Sequence, residues 1–387
     1  MSVTEQNSRI NILRWLSHCE KLFAMPSKPS KKNAENPDDY SQQRRISLKE
    51  LAAHLGLSPT SLSIVLNDAP AASAIPQETK NKIFEAAERF NYRPNYFARS
   101  LRAQRSYTLG VIVPELSDGY SAMVLNGVES ALSTEGFFYL TASHLHRDDL
   151  LERHPKMLIE RHVEGIIAVD TPIRFQTNLP IVSVSGHKEI KGVTNVVLNH
   201  QHAAELAMGH LFTLGHRRIA FIKGQDFSSD TKVRWETIVQ AASRRGIKLD
   251  KALITQLEGD IPSPEIGYIA ARKLLSNKRA FTALFAFNDI SAIGAIRALQ
   301  ESGLRIPEDV SVLGFDDIYA AEFYNPALTT IRQPLFEMGS LAAKTLLKRL
   351  AENKKADAEI PQTLTVEPKL IVRRSTAQAP KTQVEKR

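Results

Sequence analysis

Residues 46–67 read ISLKELAAHLGLSPTSLSIVLN, and this stretch predicts two short helices joined by a tight turn. Gly56 ends the first helix, because glycine adopts the positive φ of such a turn without steric cost. Ser58 is a good N-cap for the second helix, with Pro59 at its first position. Ala52 is small enough to let the helices cross closely. The apolar residues that hold the pair together are Leu51, Leu57, Leu62 and Val65. The stretch predicts a helix-turn-helix, with an ordinary hairpin of two helices as the alternative.

A helix-turn-helix binds DNA by placing its second helix in the major groove. Side-chain hydroxyls can bond base edges there, and an aliphatic chain can touch a thymine methyl group. The exposed face of the second helix offers Pro59, Thr60, Ser63 and Ile64 to the groove. The full set of DNA contacts predicted for this helix is Ser58, Pro59, Thr60, Ser61, Ser63, Ile64 and Asn67.

Positive charge is concentrated around this module. Residues 41–105 contain ten lysines and arginines against five acids, an excess that suits contact with phosphates. The segment RPNYFARSLRAQRS (93–106) holds four arginines and no acid. Asn95 can cap about two helical turns in it, with Ala98 and Leu101 three apart on one face. Such a helix is too short to be stable alone, so it needs a partner surface to order it.

After Ser106 the sequence changes to short β-rich runs that alternate with amphipathic helical stretches. Runs such as TLGVIVP, GIIAVD, ALFAFND and VSVLGFDD are separated by helical segments such as ISAIGAIRALQESG. This alternation predicts an α/β body with parallel sheets and right-handed crossovers. About ten candidate strands are too many for one doubly wound sheet of usual size, so we expect two lobes.

These patterns divide the chain into five parts. Residues 1–45 are polar and are expected to be a disordered extension, because they cannot bury enough apolar surface to order themselves. The predicted boundaries of the other parts are 46–93 for the helix-turn-helix domain, 94–106 for the hinge helix and linker, 107–376 for the two-lobed body and 377–387 for a C-terminal tail.

Composition narrows the class of partner. The chain of 387 residues has a formal charge of +8, which favours nucleic acid over an anionic membrane as a partner. Cys19 is the only cysteine, so no intramolecular disulfide can form. The N-terminal sequence lacks the pattern of a signal peptide, and no window approaches the roughly 20 apolar residues that cross a bilayer. We therefore expect a soluble protein of a reducing cytoplasm.

Four stretches together resemble the LacI/GalR family of bacterial transcription regulators. They are residues 46–67, NYRPNYFARSLRAQRSYTLGVIVP (91–114), LGHRRIAFIKG (214–224) and GLRIPEDVSVLGFDDIYAAEFYNPALTTIRQP (303–334). The resemblance runs from about residue 46 to 376. It implies a body like that of periplasmic binding proteins, which forms a homodimer and binds a small-molecule effector. The function that it implies is repression of transcription without a cofactor.

For the cationic segment, the resemblance implies a hinge helix that folds on pseudo-palindromic operator DNA. Paired hinge helices would widen the minor groove, with Leu101 entering a central base step. An acid-free sequence fits this role because it lies against phosphates. The hinge residues expected to contact DNA are Asn95, Ala98, Arg99, Leu101 and Arg102.

Effector contacts are expected at the carboxyl ends of strands, where ligands of open α/β sheets bind. Asn288 and Asp316 end predicted strands, and the resemblance assigns both of them, and Arg234, to the effector site. Tyr120 and Ser121 match the wall of the cleft on the first lobe. A guanidinium fork and a carboxylate suit a polyhydroxylated ligand, because they offer fixed donors and acceptors to adjacent oxygens.

Several positions depart from the family pattern. Ile64 stands where a longer polar or basic residue is frequent, so the preferred DNA sequence differs from that of well-known members. Ile261 stands where many members have an aromatic residue, which predicts that a stacking platform is missing. Further departures are Ser185, Gly186, Glu236 and Thr237. The effector is therefore predicted only as a sugar or related metabolite.

Two other classes of function are less consistent with the sequence. SHLHRDDL (143–150) places His144, His146, Asp148 and Asp149 close to the pattern of metallo-hydrolases, but later strands offer only scattered carboxylates to complete a metal site. Motifs for nucleotide binding, serine hydrolysis or thiol chemistry are missing, so we predict no enzyme. A sugar-binding transport protein would share the two lobes, but it would need an export signal and no helix-turn-helix.

Overall fold

The computed structural model describes residues 46–67, 69–93, 100, 105–117, 119–259, 263–278, 280–352 and 361–380. The chain divides after Tyr96 into an N-terminal unit and a body that begins at Phe97. The predicted extension at 1–45 lies outside the described residues. The same is true of the predicted hinge contacts Asn95, Ala98, Arg99, Leu101 and Arg102.

The N-terminal unit is a three-helix module. Its helices are α1 (Leu48–Leu55), α2 (Pro59–Leu66) and α3 (Gln77–Arg89), with a 3₁₀ turn at Pro70–Ala74 between the last two. Gly56 has φ +64° at the end of α1, and the Ser58 hydroxyl accepts the Ser61 amide at 3.0 Å to cap α2. The buried core consists of Leu51, Ala52, Leu62, Val65, Ile83, Ala86 and Ala87. The predicted helix-turn-helix is confirmed.

Sequence alone did not identify the cap of α1. The Ser47 hydroxyl accepts the Glu50 amide at 3.2 Å, and the Glu50 carboxylate accepts the Ser47 amide at 2.7 Å. This reciprocal capping box satisfies two amides at the start of the helix that would otherwise have no partner within it. Both ends of α1 are therefore fixed by local sequence.

The body contains two parallel sheets of six strands each in the described residues. Lobe 1 has the strand order β11-β5-β4-β3-β1-β2, and lobe 2 has the order β12-β10-β9-β8-β6-β7. The strands are β1 (Thr108–Val113), β2 (Phe138–Ser143), β3 (Ile166–Val169), β4 (Ile181–Val184), β5 (Val193–Leu198), β6 (Ile219–Lys223), β7 (Ile254–Gln256), β8 (Ala283–Ala286), β9 (Ser311–Asp316), β10 (Thr329–Arg332), β11 (Thr363–Val366) and β12 (Lys369–Ile371). The strand β12 is antiparallel to β10, and the other pairs are parallel. The predicted two-lobed α/β body is confirmed.

Helices cover both faces of each sheet, so the central strands are buried on both sides. Lobe 1 has α4 (Tyr120–Ser133), α5 (Asp148–Glu160) and α11 (Leu335–Glu352). Lobe 2 has α6 (His200–Thr213), α7 (Ser229–Arg244), α8 (Pro264–Ser276), α9 (Asp289–Glu301) and α10 (Tyr319–Phe323). None of the described helices is long and apolar enough to cross a membrane.

The C-terminal boundary differs from the expectation that a tail begins at 377. The Ala377 amide donates to Ser311 Oγ at 3.0 Å, and the Ala379 amide donates to the Leu214 carbonyl at 2.7 Å. His216 Nε2 lies 3.0 Å from the Ala377 carbonyl. The chain is therefore part of lobe 2 to at least Ala379, because its backbone hydrogen-bonds to that lobe.

Candidate functional site

A cleft lies between the lobes, where the carboxyl ends of the strands of both sheets meet. Its lining includes four of the five predicted effector residues, Tyr120, Arg234, Asn288 and Asp316. Ser121 is fully buried next to Tyr120 and is not among the lining residues. The other side chains that line the cleft are Pro114, His146, Asp170, Gln225, Phe227, Ser228, Asp230, Phe287 and Gln333. The structure thus brings together polar groups that are far apart in sequence.

Arg234 is buried in α7 and is fixed by several contacts. Its Nη2 donates to Asp230 Oδ2 at 2.9 Å, and its Nη1 donates to the Phe287 carbonyl at 2.6 Å. The guanidinium carbon lies 3.7 Å from the ring centre of Phe315 and 4.3 Å from that of Phe287. Such cation–π contacts are strong where water is excluded. The guanidinium is therefore preorganised as part of the floor of the cleft.

Asp230 was missed by sequence reasoning, although it lies one helical turn before Arg234. Its Oδ1 is 2.6 Å from His187 Nε2 and 3.2 Å from His200 Nε2, while Oδ2 accepts from Arg234. Burial opposes ionisation of this carboxyl, but His200, His187 and Arg234 together hold its pKa well below the usual range. Asp230 is therefore an ionised carboxylate that is in hydrogen-bond contact with three side chains, one of them the cation Arg234.

Asn288 and Asp316 are held by their own elements. Asn288 caps α9, and its Oδ1 accepts the Ser291 amide at 2.9 Å. Asp316 ends β9 with φ +111°, and its Oδ1 accepts from Gln333 Nε2 at 2.6 Å. The expectation that strand-end residues face the cleft is met at both positions. A positive φ is costly for a residue with a side chain, so this backbone geometry is maintained by its surroundings.

Tyr120 opens α4 on the lobe 1 side of the cleft. Its hydroxyl lies 2.7 Å from Ser185 Oγ. Burial, together with the negative charges of Asp230, Asp170 and Asp316, raises the pKa of Tyr120 well above its usual value. Tyr120 therefore stays a neutral phenol that can donate or accept a hydrogen bond.

Asp170, which follows β3, joins the lobes and was also missed by sequence reasoning. Its carboxylate accepts from the Ser229 amide at 3.0 Å, from Ser229 Oγ at 2.7 Å and from Ser228 Oγ at 3.0 Å. These donors lie at the start of α7 in lobe 2, where a helix favours negative charge. Burial and the charge of Asp230 raise the pKa of Asp170, against the effect of the serine bonds. Lobe 1 therefore supplies an acidic cap to a helix of lobe 2.

Two aromatic rings stack across the mouth of the cleft. His146 of lobe 1 and Phe227 of lobe 2 lie with ring centres 3.8 Å apart and planes inclined by 29°. Sequence reasoning expected no aromatic platform because of Ile261, which lies outside the described residues. Phe227 supplies an aromatic surface from a different segment, which only the tertiary structure reveals.

The residues of the alternative metallo-hydrolase site, His144, His146, Asp148 and Asp149, do not come together as a group that could hold a metal in the described part of the chain. His144 Nε2 lies 3.2 Å from Thr171 Oγ1, and His144 Nδ1 accepts the His146 amide at 3.1 Å. Asp148 and Asp149 are exposed and form ion pairs with Arg174 and Arg147 respectively. In the part of the chain that the structure describes, the group that could hold a metal is instead His187, His200 and Asp230.

The predicted DNA-facing helix presents a mixed surface. Pro59, Thr60 and Asn67 are exposed, whereas Ser63 and Ile64 are half-buried. The Ser58 and Ser61 hydroxyls lie 2.9 Å apart and take part in the cap of α2. The side-chain amide of Asn67 donates from Nδ2 to the Ser63 carbonyl at 2.7 Å. Thr60 and Ile64 therefore have side chains less committed to local structure than the capping serines.

Comparisons with known proteins agree with this architecture. Residues 208–376 match the family model described as a periplasmic binding protein-like domain. The HTH-type transcriptional repressor PurR of Pasteurella multocida is 31% identical over 338 residues, which cover 85% of this chain and 98% of that protein. PurR of Photorhabdus laumondii is 31% identical over 342 residues, with 86% and 97% covered.

Solved structures are similar over the same range. The crystal structure of the Lac repressor dimer bound to operator and the anti-inducer ONPF has a TM-score of 0.74 at 25% identity, covering 86% of this chain and all of that chain. The complex of the transcriptional regulator CelR with cellobiose has a TM-score of 0.62 at 28% identity, with the same coverage.

Proposed function

Because the chain belongs to the LacI/GalR family of transcription repressors, we propose that it is a dimeric repressor whose binding to operator DNA is controlled by a small polyhydroxylated effector in the cleft between its lobes. The observation that carries the proposal is the convergence of Tyr120, Arg234, Asn288 and Asp316 on one cleft. These side chains come from different elements, and no packing requirement of a single element would place them together.

The DNA-binding half of the proposal assigns major-groove contacts to α2. Thr60 and Ile64 would read base edges and thymine methyl groups, while the capped start of α2 lies near a phosphate. The hinge residues Asn95, Ala98, Arg99, Leu101 and Arg102 would contact the minor groove and the backbone. Residues 94–106 are proposed as the hinge and 107–376 as the core of the body for effector binding and dimerisation.

A second copy of the chain fits the exposed apolar surface of α10. Tyr319 and Phe323 on this short helix are 73% and 83% exposed, and Phe336 on α11 is 44% exposed. Tyr319 and Phe336 line the same surface pocket. Exposed aromatic residues of this size mark protein interfaces in soluble proteins. We assign this surface to the homodimer, which matches the two-fold symmetry of a pseudo-palindromic operator.

The charges of the cleft favour a neutral ligand. Three carboxyl groups line the described part of the cleft, those of Asp170, Asp230 and Asp316. The same lining contains one guanidinium, that of Arg234. Because Arg234 is already paired with Asp230, a phosphorylated or carboxylated ligand would meet net negative charge. Hydroxyl groups of a polyol, in contrast, can both donate to carboxylates and accept from Asn288, Gln225 or Gln333.

Ligand entry requires the lobes to move. The cleft encloses about 60 Å³, whereas pockets for small ligands usually measure roughly 300–1,000 Å³. The stacked rings of His146 and Phe227 stand at its mouth. An effector that separates the rings of His146 and Phe227 and breaks the hydrogen bonds from Ser228 and Ser229 to Asp170 would change the position of one lobe relative to the other. That change is the proposed signal to the DNA-binding module.

The DNA-binding half is tested with Leu101→Ala. The operator is first selected from random DNA, and wild type and variant are then titrated against operator and scrambled DNA at two salt concentrations. Loss of the apolar wedge should lower specific affinity, while non-specific binding through arginines and its salt dependence persist. Equal operator affinity of the two proteins would contradict the wedge, and equal loss on both DNAs would indicate a damaged fold.

The effector half is tested by a thermal-shift screen of neutral sugars, polyols and their phosphates, because a ligand that binds only the folded protein raises its melting temperature. We expect neutral compounds to raise it and phosphorylated ones to have no effect. A hit is then added to the operator titration, which must change if the cleft controls DNA binding. Stabilisation by phosphorylated compounds alone would contradict the proposed ligand class.

A further inference from the structure

Two histidines and one aspartate from three separate segments converge beside the cleft. His187 lies in the loop after β4 of lobe 1, His200 begins α6, and Asp230 lies in the first turn of α7 in lobe 2. One nitrogen of each imidazole and one carboxylate oxygen all lie within 4.8 Å of one another. We propose that His187, His200 and Asp230 bind one divalent transition-metal ion of the Zn²⁺ type, which ties the two lobes together.

The donor atoms suit such an ion. Two imidazoles and a carboxylate are the ligands of many three-residue zinc sites, which leave a fourth position for water or another molecule. Zinc bonds of about 2.0–2.2 Å place neighbouring donor atoms roughly 3.3–3.5 Å apart in a tetrahedron. The 3.2 Å between His200 Nε2 and Asp230 Oδ1 is already close to that value. His187 must withdraw by less than about 1 Å from its present 2.6 Å contact with the same oxygen.

The surroundings orient the carboxylate. Arg234 binds Asp230 Oδ2 at 2.9 Å, so Oδ1 is directed at the two imidazoles. Partners of this kind fix the orientation of metal ligands in many sites.

The site lies between the two lobes, so an ion bound there would affect how the lobes are held together. His187 belongs to lobe 1, whereas Asp230 belongs to lobe 2 and also lines the cleft. An ion bound here would hold the lobes in their present relation and lie at the edge of the effector cleft. The competing interpretation is a network of hydrogen bonds and ion pairs that needs no metal, in which His187 only supports Asp230.

The two interpretations are separated by titrating the untagged full chain with Co²⁺, whose visible spectrum reports coordination, and with Zn²⁺ by calorimetry and competition. We expect one ion per chain and a higher melting temperature with metal. His187→Gln should weaken binding by at least about 100-fold, since even the loss of an outer partner costs roughly 10–100-fold. This loop side chain is 19% exposed, so the variant should fold, and a thermal melt without metal checks that it does.

The matched control is His202→Gln. His202 lies on the same helix α6 as His200, and its Nδ1 is 2.7 Å from a carboxylate oxygen of Glu367, but the pair is exposed. A second control is Cys19→Ser, which removes the single thiol of the chain. Both controls should bind the ion as wild type does.

Absence of binding by wild type, or equal affinity in wild type and His187→Gln, would overturn the site. Weaker binding in either control would place the ion elsewhere and would equally overturn it. DNA binding is not a readout of this experiment, so its outcome and that of the operator titrations are independent.

Discussion

The two lobes of the body have the same strand order, position for position, but differ in the polar residues at the carboxyl ends of their strands. Each central strand is buried on both faces by apolar residues. Lobe 1 contributes Tyr120, His146 and Asp170 to the cleft, whereas lobe 2 contributes the only described arginine there, Arg234, together with Asn288 and others. The apolar pattern therefore sets the same scaffold in both lobes, whereas a few residues after the strands set the chemistry of the cleft.

The contacts between the lobes in the cleft are unevenly distributed. Lobe 2 uses the start of one helix, α7, where Ser228, Ser229 and Asp230 follow one another. Lobe 1 meets it with Asp170, the Ser185 carbonyl that accepts from Ser229 Oγ, and His187. Together with Phe227, which stacks on His146, this run of residues 227–230 couples the lobes in the cleft, and changes in it should affect the response of the protein more than its fold.

The largest expected difference between the lobes is in pH dependence, and it begins with Asp289 of lobe 2. Burial raises the pKa of this fully buried carboxyl to about 7 from its usual 3.8, and the bonds from Thr330 Oγ1 and the Ile318 amide offset only part of that effect. Between about pH 4 and pH 7, Asp289 therefore keeps its proton in the native state but loses it in the unfolded state. Stability should fall as pH rises from about 4 to about 7, by at most about 4 kcal/mol.

Asp289→Asn should remove this contribution, because the amide does not ionise and can still accept from the Ile318 amide. Urea unfolding of wild type and variant from about pH 4 to about pH 8 measures it. The variant should gain stability relative to wild type as pH rises. Parallel curves for the two proteins would show that Asp289 is ionised in the native state at every pH tested.

The next largest expected effect is the loss of stability when a methyl group is added where two helices pack closely, at one such contact in each lobe. A Cβ at Gly294 of α9 would collide with the carbonyl oxygen of Pro264, and one at Gly127 of α4 would collide with that of Phe336. Because backbone cannot yield as a side chain does, alanine at either site should cost about 3 kcal/mol of unfolding free energy. The two costs should be similar if the lobes are equivalent in packing.

Gly209→Ala in α6 is the matched control. Its new methyl group would meet only the guanidinium end of the Arg245 side chain, at 3.2 Å, which bonds Glu205 and Ala241 but can shift by a few tenths of an ångström more easily than backbone can. Since alanine has the higher helix propensity, this variant should be neutral or stabilised by up to about 1 kcal/mol. Thermal and urea unfolding of the three variants decide the point. A cost at Gly209 equal to the other two would mean that helix-interior glycines are required for another reason.

His144 of lobe 1 should give the opposite pH slope to Asp289. Burial, followed by the neighbouring His146 and His154, lowers its pKa to about 4 from 6.5. The native state therefore binds fewer protons than the unfolded state in this window, and stability should fall as pH decreases from about 6.5 to about 4, by at most about 3 kcal/mol. His144→Asn keeps an acceptor for the His146 amide and should flatten this slope, as measured by urea unfolding. An unchanged slope would assign the acid sensitivity to other groups.

The smallest expected effects are on the affinity of the cleft for its effector. Asp316→Asn in lobe 2 removes a charge-assisted bond and should weaken effector binding about tenfold, whereas Tyr120→Phe in lobe 1 removes a neutral hydroxyl and should weaken it about fivefold. Calorimetry with a compound found by thermal shift measures both. Operator affinity without ligand should remain that of wild type, and affinities for the effector that do not change would refute the assignment of these residues.

Sequence patterns predicted the elements and some strand-end residues because both depend on neighbours in the chain. The turn at Gly56, the cap at Ser58 and the strand end at Asp316 are examples, whereas the strand before Asn288 ends two residues earlier, at Ala286. The alternative of a metal site at His144 and His146 fails for a related reason. Spacing placed the side chains near one another but did not show that His144 would be used to bond Thr171 and the His146 backbone.

By itself, the sequence determined the helix-turn-helix and the two-lobed α/β body, because caps, turns and apolar periodicity act over a few residues, and the resemblance of four stretches indicated the family. Only the tertiary structure decided which polar groups meet. Asp170 bonds Ser229, His187 contacts Asp230, and His146 stacks on Phe227, although the members of each pair are far apart in the chain. Such contacts depend on how two open sheets face each other, and no local pattern encodes that relation.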